Sequence, residues 1–267
     1  MTELWLAQVR KFPTNGMKIT IVTVSYNSEK TIRDTIESVL AQSHPHIEYL
    51  IVDGGSTDAT LSIVREYGDK IARVVSEPDE GIYDAMNKGI HLATGEAVGF
   101  LNSDDMFANA NAVATIAQGF EPDVDAVYGD LVLTDSVGKK QVRYWRSEPY
   151  VQGSAQRGWA PPHPTLYVKR DILLACHGFK KTYRYTADFE LALRLFEMQR
   201  IRARYLPHTL VRMRIGGATT GSLKGIVLAN LEAAQACREN GYSGGGWLIL
   251  RKLLRKIPQM FRRDRTQ

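Results

Sequence analysis

From Lys18 onward, short β-branched runs alternate with segments whose apolar residues recur at helical spacing, the pattern of a mostly parallel sheet covered by helices. KITIVTVS, residues 18–25, reads as a buried first strand. Over residues 28–42, Ile32, Ile36, Val39 and Leu40 share one helical face, and IEYLIV at 47–52 is a second strand. A helix near 58–67, a strand near 71–75, a helix near 82–93 and a strand near 96–101 continue the alternation.

After about residue 125 the rhythm changes. AVYGDLVLTD and KKQVRYWR read as a hairpin turning near Gly138, followed by a loop rich in Gly, Pro and Gln up to Pro164. HPTLYVKR adds a strand, and residues 188–199 and 222–240 form helices. The expected class is α/β: a Rossmann-like, mostly parallel sheet flanked by helices, with an irregular second half and a C-terminal amphipathic helix. The divisions read as an extension over 1–17, a main domain over 18–220, a helix and Gly-rich hinge over 221–246, and a basic tail over 247–267.

At 267 residues and 44% hydrophobic, the chain has ample material for a core. The net charge of +5 is unevenly placed: from Trp247 onward seven Lys/Arg face one acid, giving +6, so everything before sums to −1. The basicity belongs to the tail, and the body is not marked for nucleic acid. Cys176 and Cys237 are too few for a disulfide scaffold or a zinc cluster. No stretch has the apolar length of a signal core or a membrane span, so the expected setting is the cytoplasm.

Ligands of open α/β sheets sit outside the carboxyl ends of the strands. Strand one ends in Ser25, Tyr26 and Asn27; strand two ends in Asp53, Gly54, Gly55 and Ser56; the strand before residue 102 ends in Asn102, Ser103, Asp104 and Asp105. An aromatic ring, a hydrogen-bonding carboxylate and a carboxylate pair suit a base, a ribose and a metal-bound diphosphate, since Mg2+ and Mn2+ favour one or two carboxylates plus substrate phosphates. Each piece also has a plainer account: Asp58 as a helix cap, Asp53 as the start of an Asx turn, Asp104 and Asp105 as the opening of a helix. The first turn carries neither G-x-G-x-x-G nor G-x-x-x-x-G-K-S/T, which argues against dinucleotide dehydrogenases and P-loop enzymes.

Taken in order, VSYNSEKTI, IEYLIVDGGSTDAT, SEPDEGIYDAMNKGIHLATGEAVGFLNSDD and YRYTADFELALRL resemble the motifs of a family 2 glycosyltransferase of the GT-A fold, of the bacterial exopolysaccharide and colanic-acid type, over roughly residues 18–220. The resemblance implies that Ser25, Tyr26, Asn27 and Asp53 hold the nucleoside, that Asp84 and Asn87 lie on the donor side, and that Asp104 and Asp105 stand in the metal-binding signature for Mn2+ or Mg2+. It implies Asp188 as the base, with His163 and Glu190 on the acceptor side. Val24, Gly54 and Asn102 depart from frequent Pro, Asp and Asp, and Met86 stands where relatives carry an arginine, leaving Lys88, Arg212 or Arg214 to meet the diphosphate.

Such an enzyme moves a sugar from a nucleotide-diphosphate donor to a saccharide hydroxyl, and a single displacement with one base gives inversion. Asp188 precedes the apolar-faced FELALRLF, so its carboxylate stands at a rigid helix start; a plain N-cap is the other account. His163 reads equally as a buried, hydrogen-bonded histidine. Two rivals are a nucleotidyltransferase, for which YNSEKT lacks the Gly-rich basic loop, and a non-catalytic carbohydrate-binding domain, in which the acidic motifs would be lost. In the tail, Trp247, Leu250, Leu253, Leu254 and Ile257 share one helical face and Arg251, Lys252, Arg255 and Lys256 the other, ended by Pro258. That arrangement suits an anionic membrane surface, with the enzyme peripheral on the inner face and the acceptor lipid-linked.

Overall fold

A computed structural model describes residues 16–216 and 223–243 together with residue 259. The amphipathic helix expected over 247–257, the glycines at 244–246 and residues 1–15 of the extension lie outside the described residues.

Strand β1 (Ile19–Ser25) is buried along its whole length between β2 (Ile47–Asp53) and β4 (Ala97–Phe100), both parallel to it. Burial on both faces is why these strands are predominantly apolar and do not alternate with charged residues facing water. β3 (Arg73–Ser76) extends the sheet beyond β2 in parallel. Helices α1 (Ile32–Leu40), α2 (Thr60–Arg65) and α3 (Ile82–Leu92) make the crossovers. α1 starts four residues later than its periodicity predicts, because the Ser28 and Glu29 amides are taken by Thr60 Oγ1 (2.7 Å) and Asp58 Oδ2 (3.1 Å). The other oxygen of Asp58 accepts from the Thr60 amide at 2.9 Å, so Asp58 does serve the start of α2.

Beyond β4 the sheet turns mixed. β5 (Met106–Phe107) and α4 (Ala112–Gly119) lead to the hairpin of β6 (Ala126–Thr134) and β7 (Gln141–Trp145), whose turn carries Gly138 at φ 80. β8 (Tyr167–Lys169) runs antiparallel between β4 and β6 and passes directly into α5 (Arg170–Ala175). α6 (Ala187–Ala192) continues as a π-helical turn, Leu193–Met198. β9 (Ala203–Arg214) pairs in parallel with β6 and antiparallel with β5, completing a sheet of nine strands among the described residues. Finally α7 (Leu223–Glu239) packs Ala233, Ala236 and Cys237, all fully buried, into the core.

The apolar pattern does not announce β9. Pro207 and His208 interrupt it, and the pairing with β6 shifts register around Tyr128 and Asp130 to accommodate them. One apolar cluster, with Val22, Val98, Phe100, Tyr128 and the inner sides of α3, α6 and α7, covers one face of the sheet. The other, with Ile21, Ile51, Leu131, α1 and α4, covers the opposite face. No helix among the described residues is long and apolar enough to cross a membrane.

Candidate functional site at the strand ends

The ends of β1 and β2 are knitted into one loop system around Asp53. Its carboxylate is 0% exposed and accepts from Ser25 Oγ (2.9 Å), the Gly55 and Ser56 amides (3.1 and 2.8 Å), Ser56 Oγ (2.5 Å) and Ser76 Oγ (2.8 Å). Burial pushes its pKa up, but the bonds from Ser56, Ser76 and Ser25 outweigh it and hold the group below the usual carboxylate value. Asn27, in the left-handed region at φ 47, ties the same system together: its amide donates to Ser56 Oγ at 2.8 Å and its Oδ1 accepts from the Thr57 amide at 2.9 Å. Between them Tyr26 stands 64% exposed, its ring available to an incoming planar group. The Asp79 carboxylate lies directly against Gly54, where any β-carbon would overlap it, so a side chain at 54 and this position of Asp79 exclude one another.

At the end of β4 the chain does not enter a helix at Asp104 and Asp105, as their plainer account predicts, but turns into β5. Ser103 Oγ shares a hydrogen bond with Ser28 Oγ at 2.7 Å, joining this turn to the end of β1. Asp105 is fully buried and neither of its carboxylate oxygens makes a hydrogen bond of good geometry, the Arg214 backbone and the Asn102 side chain being near enough only to ease its burial. Burial, and then the Asp104 charge, push its pKa well above the ordinary value; burial also raises Asp104, with Arg214 pulling it back. Among the described residues no group of three His, Cys, Asp or Glu could enclose a metal by itself. A half-buried carboxylate above an unsatisfied buried one instead fits a hard divalent ion that draws its other ligands from phosphate and water.

An aromatic cluster is assembled from four separate segments of the chain. Phe100 of β4 stacks on His163 with centroids 5.6 Å apart, Phe179 packs edge-on to both, and Tyr83 of α3 stacks on Phe179 at 5.5 Å. The Tyr83 hydroxyl donates to Asp188 Oδ1 at 3.3 Å, and the Phe189 amide donates to the same oxygen at 2.8 Å. Asp188 is therefore held at the start of α6 by a residue from α3. Burial lowers the His163 pKa, with the Asp188 charge opposing, and its Nε2 is buried without a partner. One ring nitrogen thus lacks the bond that the plainer account of a buried, hydrogen-bonded histidine expects.

Several expected contacts are placed elsewhere. Glu190 is 0% exposed and belongs to an internal ion cluster with Arg194 (2.8 Å) and Lys180 (2.9 Å), joined by Asn240, so its carboxylate is consumed in the core instead of facing an acceptor. Asn87 spends both ends of its amide on the Phe179 backbone, at 2.8 Å each, bracing the aromatic cluster instead of meeting a donor. Arg214 pairs with Asp34 and donates to the Asp104 carbonyl at 3.2 Å, so it supports the acidic turn from behind. Arg212 donates to the carbonyls of Gly138 and Lys139, both at 3.4 Å. Lys88 is bound to Glu77 at 2.8 Å and Asp84 to Lys181 at 3.1 Å, forming a charged rim at the start of α3. Met86 is 1% exposed, inside the core, and has no access to a phosphate.

Tyr83, Phe179, Asp79 and Glu232 are the residues that sequence reasoning passed over. Tyr83 carried a signal, since it lies beside Asp84 within a recognised motif. Asp79 lies in that same motif, whereas Phe179 and Glu232 carried no such signal, because their partners are remote in the chain.

The sequence model of glycosyl transferase family 2 matches residues 20–187. A PGL/p-HBAD biosynthesis glycosyltransferase of Mycobacterium bovis is 28% identical over 196 residues, which span 72% of this chain and 74% of that protein. Among solved structures, a mannosyltransferase from Pyrobaculum calidifontis in complex with GDP-Man and Mn2+ superposes with a TM-score of 0.66 at 19% identity, over 92% of this chain and 73% of that one. S. aureus TarS 1–349 in complex with UDP gives 0.63 at 22% identity, over 91% and 72%. These likenesses show the GT-A fold.

Proposed function

This chain belongs to glycosyl transferase family 2, and on that premise we propose that it is an inverting, metal-dependent glycosyltransferase that moves a sugar from a nucleotide-diphosphate donor to the hydroxyl of a lipid-linked saccharide. The observation that carries this reading is the bond from Tyr83 to Asp188, which fixes a half-buried carboxylate at the start of α6 against α3.

Tyr26 offers its ring to the base of the nucleotide, within loops whose shape Asp53 and Asn27 maintain. Asp104, the carboxylate of the pair that is not fully buried, would hold a Mn2+ or Mg2+ ion, with the buried Asp105 next to it in the chain. When bound, that ion neutralises the leaving diphosphate. Asp188 takes the proton of the acceptor hydroxyl as that oxygen attacks the anomeric carbon. The bond to the diphosphate breaks on the opposite side, so the configuration inverts. The Tyr83 hydroxyl holds Oδ1 of Asp188 and leaves Oδ2 for the acceptor. The basic amphipathic segment after Gly246 would keep the enzyme at an anionic membrane surface.

The test uses purified full-length chain, a panel of nucleotide sugars and Asp188→Asn. The variant is expected to bind the donor with near-normal affinity and to lose roughly 10²–10⁴-fold in transfer. Donor binding that collapses while saturated turnover survives would make Asp188 a donor ligand or a cap instead.

A further inference from the structure

We propose that Glu232, on α7, is a positioning residue for Asp188; this rests on the reading of Asp188 as the base. Its carboxylate accepts from three consecutive backbone amides, Arg184 (3.1 Å), Tyr185 (2.8 Å) and Thr186 (3.1 Å), and from the Thr186 hydroxyl at 3.2 Å. These groups form the entry to α6, on which Asp188 is the second residue. Helices leave their first amides without internal partners, and a local Ser, Thr or Asp usually supplies the missing acceptor. Here Thr186 occupies the capping position, makes no capping bond to the helix, and turns its hydroxyl to Glu232. Of the amides left unpaired at this helix start Glu232 takes only that of Thr186, and its other two bonds fall on the two residues before it, so a side chain 46 residues further along the chain holds the approach to the helix.

A local cap would stabilise the start of α6 wherever that start happened to lie. An anchor from α7 on the residues leading into the helix also fixes its position relative to the rest of the molecule. α7 is anchored independently, with Ala233, Ala236 and Cys237 fully buried in the core that also contains Tyr83, Phe100 and Phe179. The end of the same helix and the residue after it hold the flanks of the segment: Glu239 accepts from the Tyr183 hydroxyl at 2.5 Å and Asn240 donates to Glu190 at 3.3 Å. Asp188 is thus located from two directions, by Tyr83 on its carboxylate and by Glu232 on the backbone two to four residues before it. A displacement of about 1 Å at a reacting group costs on the order of 10²-fold in rate. Loss of the Glu232 anchor therefore appears in turnover, while the donor pocket at the ends of β1, β2 and β4 is untouched.

The experiment compares full-length wild type, Glu232→Gln, Glu232→Ala, Asp188→Asn and the Glu232→Ala/Asp188→Asn double variant. Single-turnover transfer, donor affinity and thermal midpoint are measured for each. For Glu232→Ala we expect roughly 10–100-fold slower transfer with donor affinity within about two-fold of wild type. Glu232→Gln is expected to lose less, since its amide oxygen still accepts while its NH2 opposes one of the amides. In the double variant the Ala change should add little beyond Asp188→Asn, because a residue acting through Asp188 has nothing left to position. Losses that multiply in full in the double variant, or a Glu232→Ala enzyme with wild-type turnover beside a dead Asp188→Asn, overturn the positioning role and leave the base standing. An active Asp188→Asn overturns both. If Glu232→Ala does not fold, Glu232→Gln in the same cycle decides, and wild-type turnover in that folded variant refutes the proposal.

Discussion

Replacing Asp53 by alanine removes the acceptor for five hydrogen bonds at once, from Ser25, Gly55, both groups of Ser56, and Ser76. Bonds to a charged acceptor contribute about 1.5–3 kcal/mol each, but Gly55 and Ser56 are half-buried and can turn to water, so the loss should be about 3–5 kcal/mol in total. At roughly 2–4 °C per kcal/mol for a domain of this size, the thermal midpoint should fall by about 10 °C. Asp53→Asn keeps one oxygen and sets an NH2 against the amide donors, and should recover only part of this. Because the folded carboxyl is held below its ordinary value, its stabilisation is fully present above the unfolded-state pKa and is lost as pH falls through the folded one. The gap between wild type and Asp53→Asn should therefore be constant near neutrality and close in acid. Calorimetry across pH, with donor titration in parallel, measures both quantities. A role confined to contacting the base would weaken donor binding and leave stability alone, so an Asp53→Ala midpoint within about 2 °C of wild type would refute this account.

Chelation by EDTA should stop both transfer and donor hydrolysis, Mn2+ or Mg2+ should restore them, and Asp104→Asn should lower kcat by about 10²-fold with the fold intact; full activity in excess EDTA counts against the metal. Burial pushes Glu48 up, yet bonds from Thr20, Thr94 and Lys18 bring it down to about 2, so Glu48→Gln should cost about 2 kcal/mol in urea unfolding at neutral pH. That cost should vanish as pH falls from the ordinary glutamate value towards 2, and a pH-independent cost would exclude the assignment. Glu190→Ala breaks a buried ion cluster and should destabilise by about 3–5 kcal/mol without changing the acceptor KM of the folded fraction; a raised KM at unchanged stability would return Glu190 to the acceptor side.

Periodicity determined the βα alternation up to residue 101, because strands buried on both faces and helices buried on one leave local, repeating signatures in the chain. The strand-end segments around residues 25, 53 and 104, and the helix start at Asp188, were legible for the same reason: turn chemistry and carboxylates concentrate where strands stop. β9 was not legible, since a strand interrupted by Pro207 and His208 takes its stability from pairing with β6, 77 residues earlier at the Ala126 and Ala203 register. Which charges face the cleft was likewise decided by tertiary structure. Asn87 lies in a motif and Arg214 beyond them, and nothing in either stretch reveals that the Phe179 backbone and Asp34 claim them, whereas the pairing of Glu190 with Arg194 is an i,i+4 contact along one helix that the sequence spacing allows. Glu232 is the clearest case of this kind, a carboxylate on an ordinary amphipathic helix whose three amide donors lie on another helix's entry. Hydrophobic pattern is a property of neighbours in the chain and survives in one dimension, whereas the pairing of a particular donor with a particular acceptor exists only once packing has brought remote segments within about 3 Å.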